Sequence, residues 1–361
     1  MRLARSLPIM VVLLAACAAP APAGPRAEAP PDLTPPAPLP SEGRGEQIAP
    51  APAPIKLQLA YASTSVSWSP GYLAVEQGLF AKQGLDVELT YIASGTSVMQ
   101  AMLAGDLKFA LNSGSEVVAA YVGGAPVRFL MGWINTLPVL FMVDPSITEP
   151  AQLRGTTIGI TRYGSQPHVA ARLALQKWRL NPDTDVQYLQ LGGVPEILGG
   201  MQQGAVIGGA FSPPTNALAR RLGYRALGDL SQMGIAYQAS CLTALQPYIE
   251  ANPDVVRRMV RALVEGLQVS LSDDAATRAA AAKYTQIDDP ELLNDAIAYY
   301  RTVAQPRPYP TPEGIQAILD ELAATDPRAR TSDPRALIDT TALAELERDG
   351  ALPAPAGSAG R

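Results

Sequence analysis

Three short runs of small polar residues hold the groups most able to do chemistry. Ser65, Ser67 and Trp68 precede one amphipathic segment, Ser94, Gly95 and Thr96 a second, and Asn112, Ser113 and Gly114 a third. Patches of this kind in front of a helix expose backbone N–H groups and hydroxyls. Several of them facing one cavity stabilise an anionic or strongly polar group without lysines, because each helix end acts as roughly half a positive charge. Each serine is also a good helix cap, worth about 1 kcal/mol. A single serine therefore reads equally as cap or as ligand contact, and the set of them favours contact. Trp68, with no charge beside it, is either an aromatic pocket wall or a packed core side chain.

A second group repeats the plan downstream. Arg162, Tyr163, Gly164 and Ser165 form a turn before a helix, and Gly193 and Ser212 stand at strand ends. Arg162, the one cation in these loops, is either a solvated surface arginine or, with the Tyr163 hydroxyl, a contact to an anion. His168 is the only histidine in the chain. Without Cys, Asp or Glu at ligand spacing it makes no metal site, and a structural or cleft-lining role is expected. No cofactor is expected. The chain has no nucleophile elbow, phosphate loop or paired carboxylates placed for acid/base work, so the pattern points to binding, not to an enzyme.

The elements that must position these residues alternate. "IKLQLAY" and "DVELTYI" read as strands, with a helix between them from about Pro70 to Gln77 and Ser69 as its N-cap. Ser97 with Gln100 and Ser113 with Glu116 fit capping boxes, and Gly105 and Gly123 fit helix stops. The alternation implies an α/β fold with mainly parallel sheets, in which the polar turns fall at the carboxyl ends of strands. It restarts at "TTIGITRYGSQPHVAARLAL". From Asn252 the chain is helical, with Val256, Met259, Val260, Leu263 and Leu267 on one face.

At 361 residues two lobes are expected. A net charge of -5 argues against a nucleic-acid partner. Residues 1–17, "MRLARSLPIMVVLLAAC", carry two arginines, an apolar run too short to span a bilayer, and a cysteine. The run resembles a bacterial lipoprotein signal, with Cys17 as the lipidated residue anchoring the protein to a membrane. Residues 18–54 are rich in proline and alanine and read as a disordered tether. Cys241 is the only other cysteine, so no internal disulfide forms, and its apolar setting predicts core packing.

The segments "GYLAVEQGLFAKQGLDVELTYIASGTSVMQAMLAGDLKFALNSGSEVVAAYVGGAPV", "QLRGTTIGITRYGSQPHVAARLAL", "ANPDVVRRMVRALVEGL" and "ALIDTTALAELERDG" resemble bacterial substrate-binding proteins of the nitrate/sulfonate/taurine, or NMT1/THI5-like, family. The resemblance implies a two-lobe, type II periplasmic-binding-protein fold. Its first lobe would be 55–142 plus 241–349 and its second 143–240, with crossovers near Met142 to Ser146 and Ala239 to Thr243, and 350–361 would be a flexible tail. It also implies a periplasmic or cell-surface monomer that holds a small solute in the inter-lobe cleft and delivers it to an ABC permease and ATPase. A sulfonate, taurine or nitrate leads; a thiamine-related pyrimidine, held by stacking, is the alternative. An enzyme that builds a thiamine pyrimidine ranks below these, because its cysteine-rich iron motif is missing, and a sensory lipoprotein ranks last. Where family members often carry an aspartate after the helices, one that more often stabilises a strand end than holds ligand, this chain has Leu107-Lys108 and Ile207-Gly208, which leaves the fold unaffected and the charge of the pocket open to difference.

Overall fold

A computed structural model of the chain describes residues 53–354. The expected signal segment with Cys17 and nearly all of the expected tether lie outside the described residues.

The chain builds a first sheet from β1 (Ile55–Tyr61), β2 (Leu85–Tyr91), β3 (Phe109–Asn112) and β4 (Val127–Thr136). Helices α1 (Ser69–Glu76), α2 (Leu79–Lys82), α3 (Gly95–Ala104) and α4 (Gly114–Val122) connect them. The second sheet follows as β5 (Leu140–Val143), β6 (Thr157–Ile160), β7 (Gln187–Gln190), β8 (Gly208–Phe211) and β9 (Arg225–Asp229), with α5 (Gln166–Lys177), α6 (Val194–Gln202) and α7 (Thr215–Arg221) between them. A long strand, β10 (Ala236–Leu245), returns to the first sheet. After it come α8 (Gln246–Ala251), α9 (Pro253–Ser272), α10 (Asp274–Thr285), α11 (Pro290–Val303), α12 (Pro312–Leu322) and α13 (Thr341–Arg348).

The two sheets have matching orders, β2-β1-β3-β10-β4 and β7-β6-β8-β5-β9. In each, three strands run parallel and the strand shared with the other lobe's path runs antiparallel to its neighbours. The expected α/β two-lobe architecture is therefore present. The crossovers differ from expectation: the chain changes sheets between Thr136 and Leu140 and again between Asp229 and Ala236. Ile134 before the change, Leu137 and Val139 within it and Met142 and Val143 after it are all apolar and buried, so composition alone does not mark it. Beyond Gly350 the chain stays packed for several residues. Leu352 is buried, the Arg307 Nη1 donates to the Pro353 carbonyl at 2.8 Å, and the Gln268 Nε2 donates to the Ala351 carbonyl at 3.1 Å.

Local chemistry explains the frame. β1 alternates until it enters the core, where both its faces are covered. In α9 the five predicted apolar residues are all buried. This helix lies against α1, and a β-carbon at Gly266 would come within 2.2 Å of the Pro70 carbonyl oxygen, so only glycine permits that approach. Cys241 is fully buried in β10, its thiol donating to the Asn112 carbonyl at 3.0 Å.

Side chains from both lobes meet directly. The Ser65 hydroxyl donates to the Pro213 carbonyl at 3.0 Å and Thr96 Oγ1 donates to the Tyr163 carbonyl at 3.4 Å. Arg172 of α5 forms a buried ion pair with Glu321 of α12 and a second pair with Asp183 at 2.5 Å. Arg221 bridges to Asp289 and Glu291. The lobes are thus closed on one another.

Candidate functional site

The turns after β1, β2 and β3 and those after β6 and β8 face one another across the lobe boundary, as parallel-strand ends do in open α/β sheets. Between them lies a narrow chamber of about 30 Å³. Trp68, Ser94, Gly95, Ser113 and Ser212 line it, five of the residues singled out from the sequence. Trp68 meets both of its expected descriptions. It borders the chamber, yet it is buried, edge-on to Trp133 at 6.1 Å, with Nε1 donating to the Ser63 hydroxyl at 2.9 Å.

Other expected residues support the walls instead. Ser65 caps a short turn by accepting from the Ser67 N–H, and the Ser67 carbonyl accepts from Trp133 Nε1 at 2.8 Å. Ser165 donates to the Arg162 carbonyl at 2.6 Å and accepts from Thr161 Oγ1 at 2.7 Å. Gly114 sits hard against Gln238 of β10 and Gly193 heads α6. Thr96 is spent on the bond to Tyr163. Arg162 is exposed and lines neither this chamber nor the larger one described below, because its turn points its side chain to solvent.

Neither capping box forms. Helix α3 starts two residues before Ser97, at Gly95 behind Ser94, so Ser97 lies inside the first turn. Ser113 does stand at the N-cap of α4, but its hydroxyl pairs with the Tyr237 hydroxyl at 3.2 Å and makes no cap bond. That leaves Glu116 free to turn into the cleft. Its Oε1 accepts from the backbone N–H of Gln166, the first residue of α5, at 3.0 Å, and its Oε2 accepts from the Ser115 hydroxyl at 2.9 Å. It also packs on Gly95, the first residue of α3, so closely that a β-carbon there would lie 2.3 Å from Oε1. A carboxylate from the first turn of α4 thereby occupies the point where three helix N-termini converge, the seat that peptide dipoles offer to an anion. Burial is the main influence on Glu116 and raises its pKa to about 7, against the lowering effect of its own backbone N–H, Ser115 and Gln166.

Two polar side chains here have no hydrogen-bond partner. Ser94 Oγ is buried beside the chamber, on a residue held at φ 73°, and Asn112 is fully buried with both amide atoms unpaired. Left unpaired, each costs about 1–3 kcal/mol, and a left-handed serine adds about 1–3 kcal/mol of strain. Of the two, only Ser94 borders the chamber.

A larger chamber, of about 480 Å³, opens between α4, α5 and α12. Tyr163, His168 and Tyr188 form part of its wall, with His168 edge-on to Tyr188 at 4.9 Å and to Tyr163 at 5.1 Å. His168 Nδ1 accepts from the Gly164 N–H at 3.1 Å. Burial, aided by the charge of Arg172, lowers its pKa to about 4, so the ring is neutral. Sequence reasoning found His168 and Tyr163 but missed Glu116, Gln166, Tyr188 and the contribution of α12. A glutamate three residues past a serine N-cap looks the same whether it caps its helix or faces a partner lobe. Among the described residues no cluster of His, Cys, Asp and Glu stands where it could hold a metal ion.

Comparison with known proteins matches residues 66–276 to the NMT1/THI5 like family model, a stretch longer than half the chain. The riboflavin-binding protein RibY of Chloroflexus aurantiacus is 25% identical over 217 residues, covering 58% of this chain and 60% of that protein. A formylaminopyrimidine-binding protein of Halalkalibacterium halodurans is 30% identical over 90 residues, 24% of this chain and 27% of that protein. The chain thus spans less than two thirds of the length of both relatives. Among solved structures, the periplasmic aliphatic sulphonate binding protein SsuA from Escherichia coli superposes with a TM-score of 0.64 at 20% identity, covering 79% of this chain and 92% of that one. On the family match and this shared architecture, the chain belongs to the NMT1/THI5-like family and has the two-lobe periplasmic-binding-protein fold.

Proposed function

We propose that this protein is the extracytoplasmic solute-binding component of an ABC importer, held at the membrane through Cys17. We further propose that its solute is a flat nitrogen heterocycle bearing amino or ring N–H groups, and that it is not a sulfonate or nitrate. Glu116 carries the second part. A carboxylate already fills the dipole seat that an anion would need, and an incoming anion would meet it in a low-dielectric cleft with Arg162 out of reach. A guest with N–H donors gains a charge-assisted hydrogen bond from the same group. The relatives named for riboflavin and for a formylaminopyrimidine support this class; the sulfonate binder shares the fold alone.

The test is a calorimetric and thermal-shift panel of riboflavin, an aminopyrimidine, taurine and nitrate. A true ligand at a hundred times its dissociation constant stabilises the protein by about 2.7 kcal/mol. Saturable binding of taurine or nitrate without any of the heterocycles overturns the ligand class and leaves the binding role standing. One observation favours that second reading. With a pKa of about 7, Glu116 is partly protonated at neutral pH, and a carboxylic acid donates to an anion. Anion affinity would then rise as pH falls.

A further inference from the structure

The narrow chamber is smaller than any organic ring system, whereas the chamber beside it lies within the roughly 300–1,000 Å³ typical of small-molecule sites. Resting on the solute-binding reading above, we infer that the larger chamber seats the planar part of the solute, an uncharged fused-ring heteroaromatic group, while its polar edge reaches Glu116.

Both lobes build the chamber. Ala119 of α4 and Ile318 and Leu322 of α12 supply an apolar wall from the first lobe, and His168 and Tyr188 supply aromatic edges from the second. Only closed lobes assemble it, which couples ring capture to closure. Ring edges of this kind pack favourably against the face of a flat π-system.

The polar groups of the chamber select against charge of one sign. Its only guanidinium, Arg172, is held by two carboxylates, Asp183 and Glu321, so no free cation awaits an anionic guest. Tyr188 Oη is shielded from solvent and has no hydrogen-bond partner. With Nδ1 of His168 accepting from Gly164, its proton sits on Nε2 and is available as a second donor or edge contact. Ser115 lines this chamber while its hydroxyl bonds Glu116 in the other, so a single displaced hydroxyl separates a bound ring from the carboxylate.

Titrating the full chain with riboflavin and with lumiflavin, the same ring with a methyl group in place of the polyol chain, and following quenching of their fluorescence, tests this. The wild type binds both. Ala119→Trp, which fills the chamber, weakens both at least a hundredfold without lowering the ligand-free melting temperature. Tyr188→Phe, which keeps the volume, weakens both about two- to tenfold. Wild-type affinity in Ala119→Trp overturns the chamber as the ring seat, as does a wild type that binds neither ring. Binding lost in Glu116→Gln but kept in Ala119→Trp and Tyr188→Phe also overturns it while sparing the proposed function. Should Ala119→Trp not fold, an unchanged affinity in Tyr188→Phe overturns it alone.

Discussion

The carboxylate of Glu116 in the first lobe accepts a hydrogen bond at 3.0 Å from the backbone N–H of Gln166 in the second, so a side chain of the protein spans the gap a guest would otherwise bridge. Nearby Tyr237 and Cys241 are both buried and both raised by burial, so neither titrates near neutral pH.

Glu116 makes stability fall with rising pH. Its folded pKa, about 7, lies above the ordinary 4.5. The folded protein therefore binds the extra proton, and the stabilisation is complete below 4.5 and lost as pH climbs through 7. The loss is about 3 kcal/mol. Urea unfolding of wild type and Glu116→Gln between pH 4.5 and 8 should show this slope in the first and not in the second.

His168 acts with the opposite sign. Its folded pKa, about 4, lies below the ordinary 6.5. Its contribution is full above 6.5 and disappears as pH drops through 4, amounting to about 2 kcal/mol once partial exposure is allowed for. His168→Gln should shift the acid-unfolding midpoint downward; an unchanged midpoint would show that the imidazole is not held neutral.

Gly95→Ala offers a way to move Glu116 without removing its charge. The new β-carbon would lie 2.3 Å from Oε1 and 2.6 Å from Cδ, both at the flexible end of the side chain, so the carboxylate gives way. The pH slope assigned to Glu116 should shrink toward that of Glu116→Gln, with less than about 1.5 kcal/mol of lost stability. A slope equal to wild type would show that the carboxylate was never seated there.

Removing Arg172 strands Glu321, which is 9% exposed, without its partner. Arg172→Met should cost about 3–5 kcal/mol by equilibrium unfolding, and the double variant Arg172→Met/Glu321→Met should recover most of it. Equal losses in single and double variants would mean that the ion pair contributes through packing alone.

Much of this fold could be read from the chain because local signals agreed with one another. "IKLQLAY" became β1 over the same residues, and the apolar face of α9 matched its 3.6-residue period. The crossovers were not legible, since "PVLFMV" is equally apolar whichever sheet it joins. The polar turns were found because strand ends in α/β sheets gather ligand-facing groups. The direction of Glu116 was hidden because capping and cleft-filling use the same residue at the same spacing, and only the approach of α5 decides between them.

Gly95 and Glu116 together have one more consequence. Outside a cell, chloride, phosphate and sulfate far outnumber any scarce nutrient, and a receptor that presents bare peptide dipoles would spend most of its time loaded with common salt. By lodging its own carboxylate against a residue with no side chain, this protein would withdraw that attraction and, on the function proposed above, leave recognition to shape and hydrogen-bond donors.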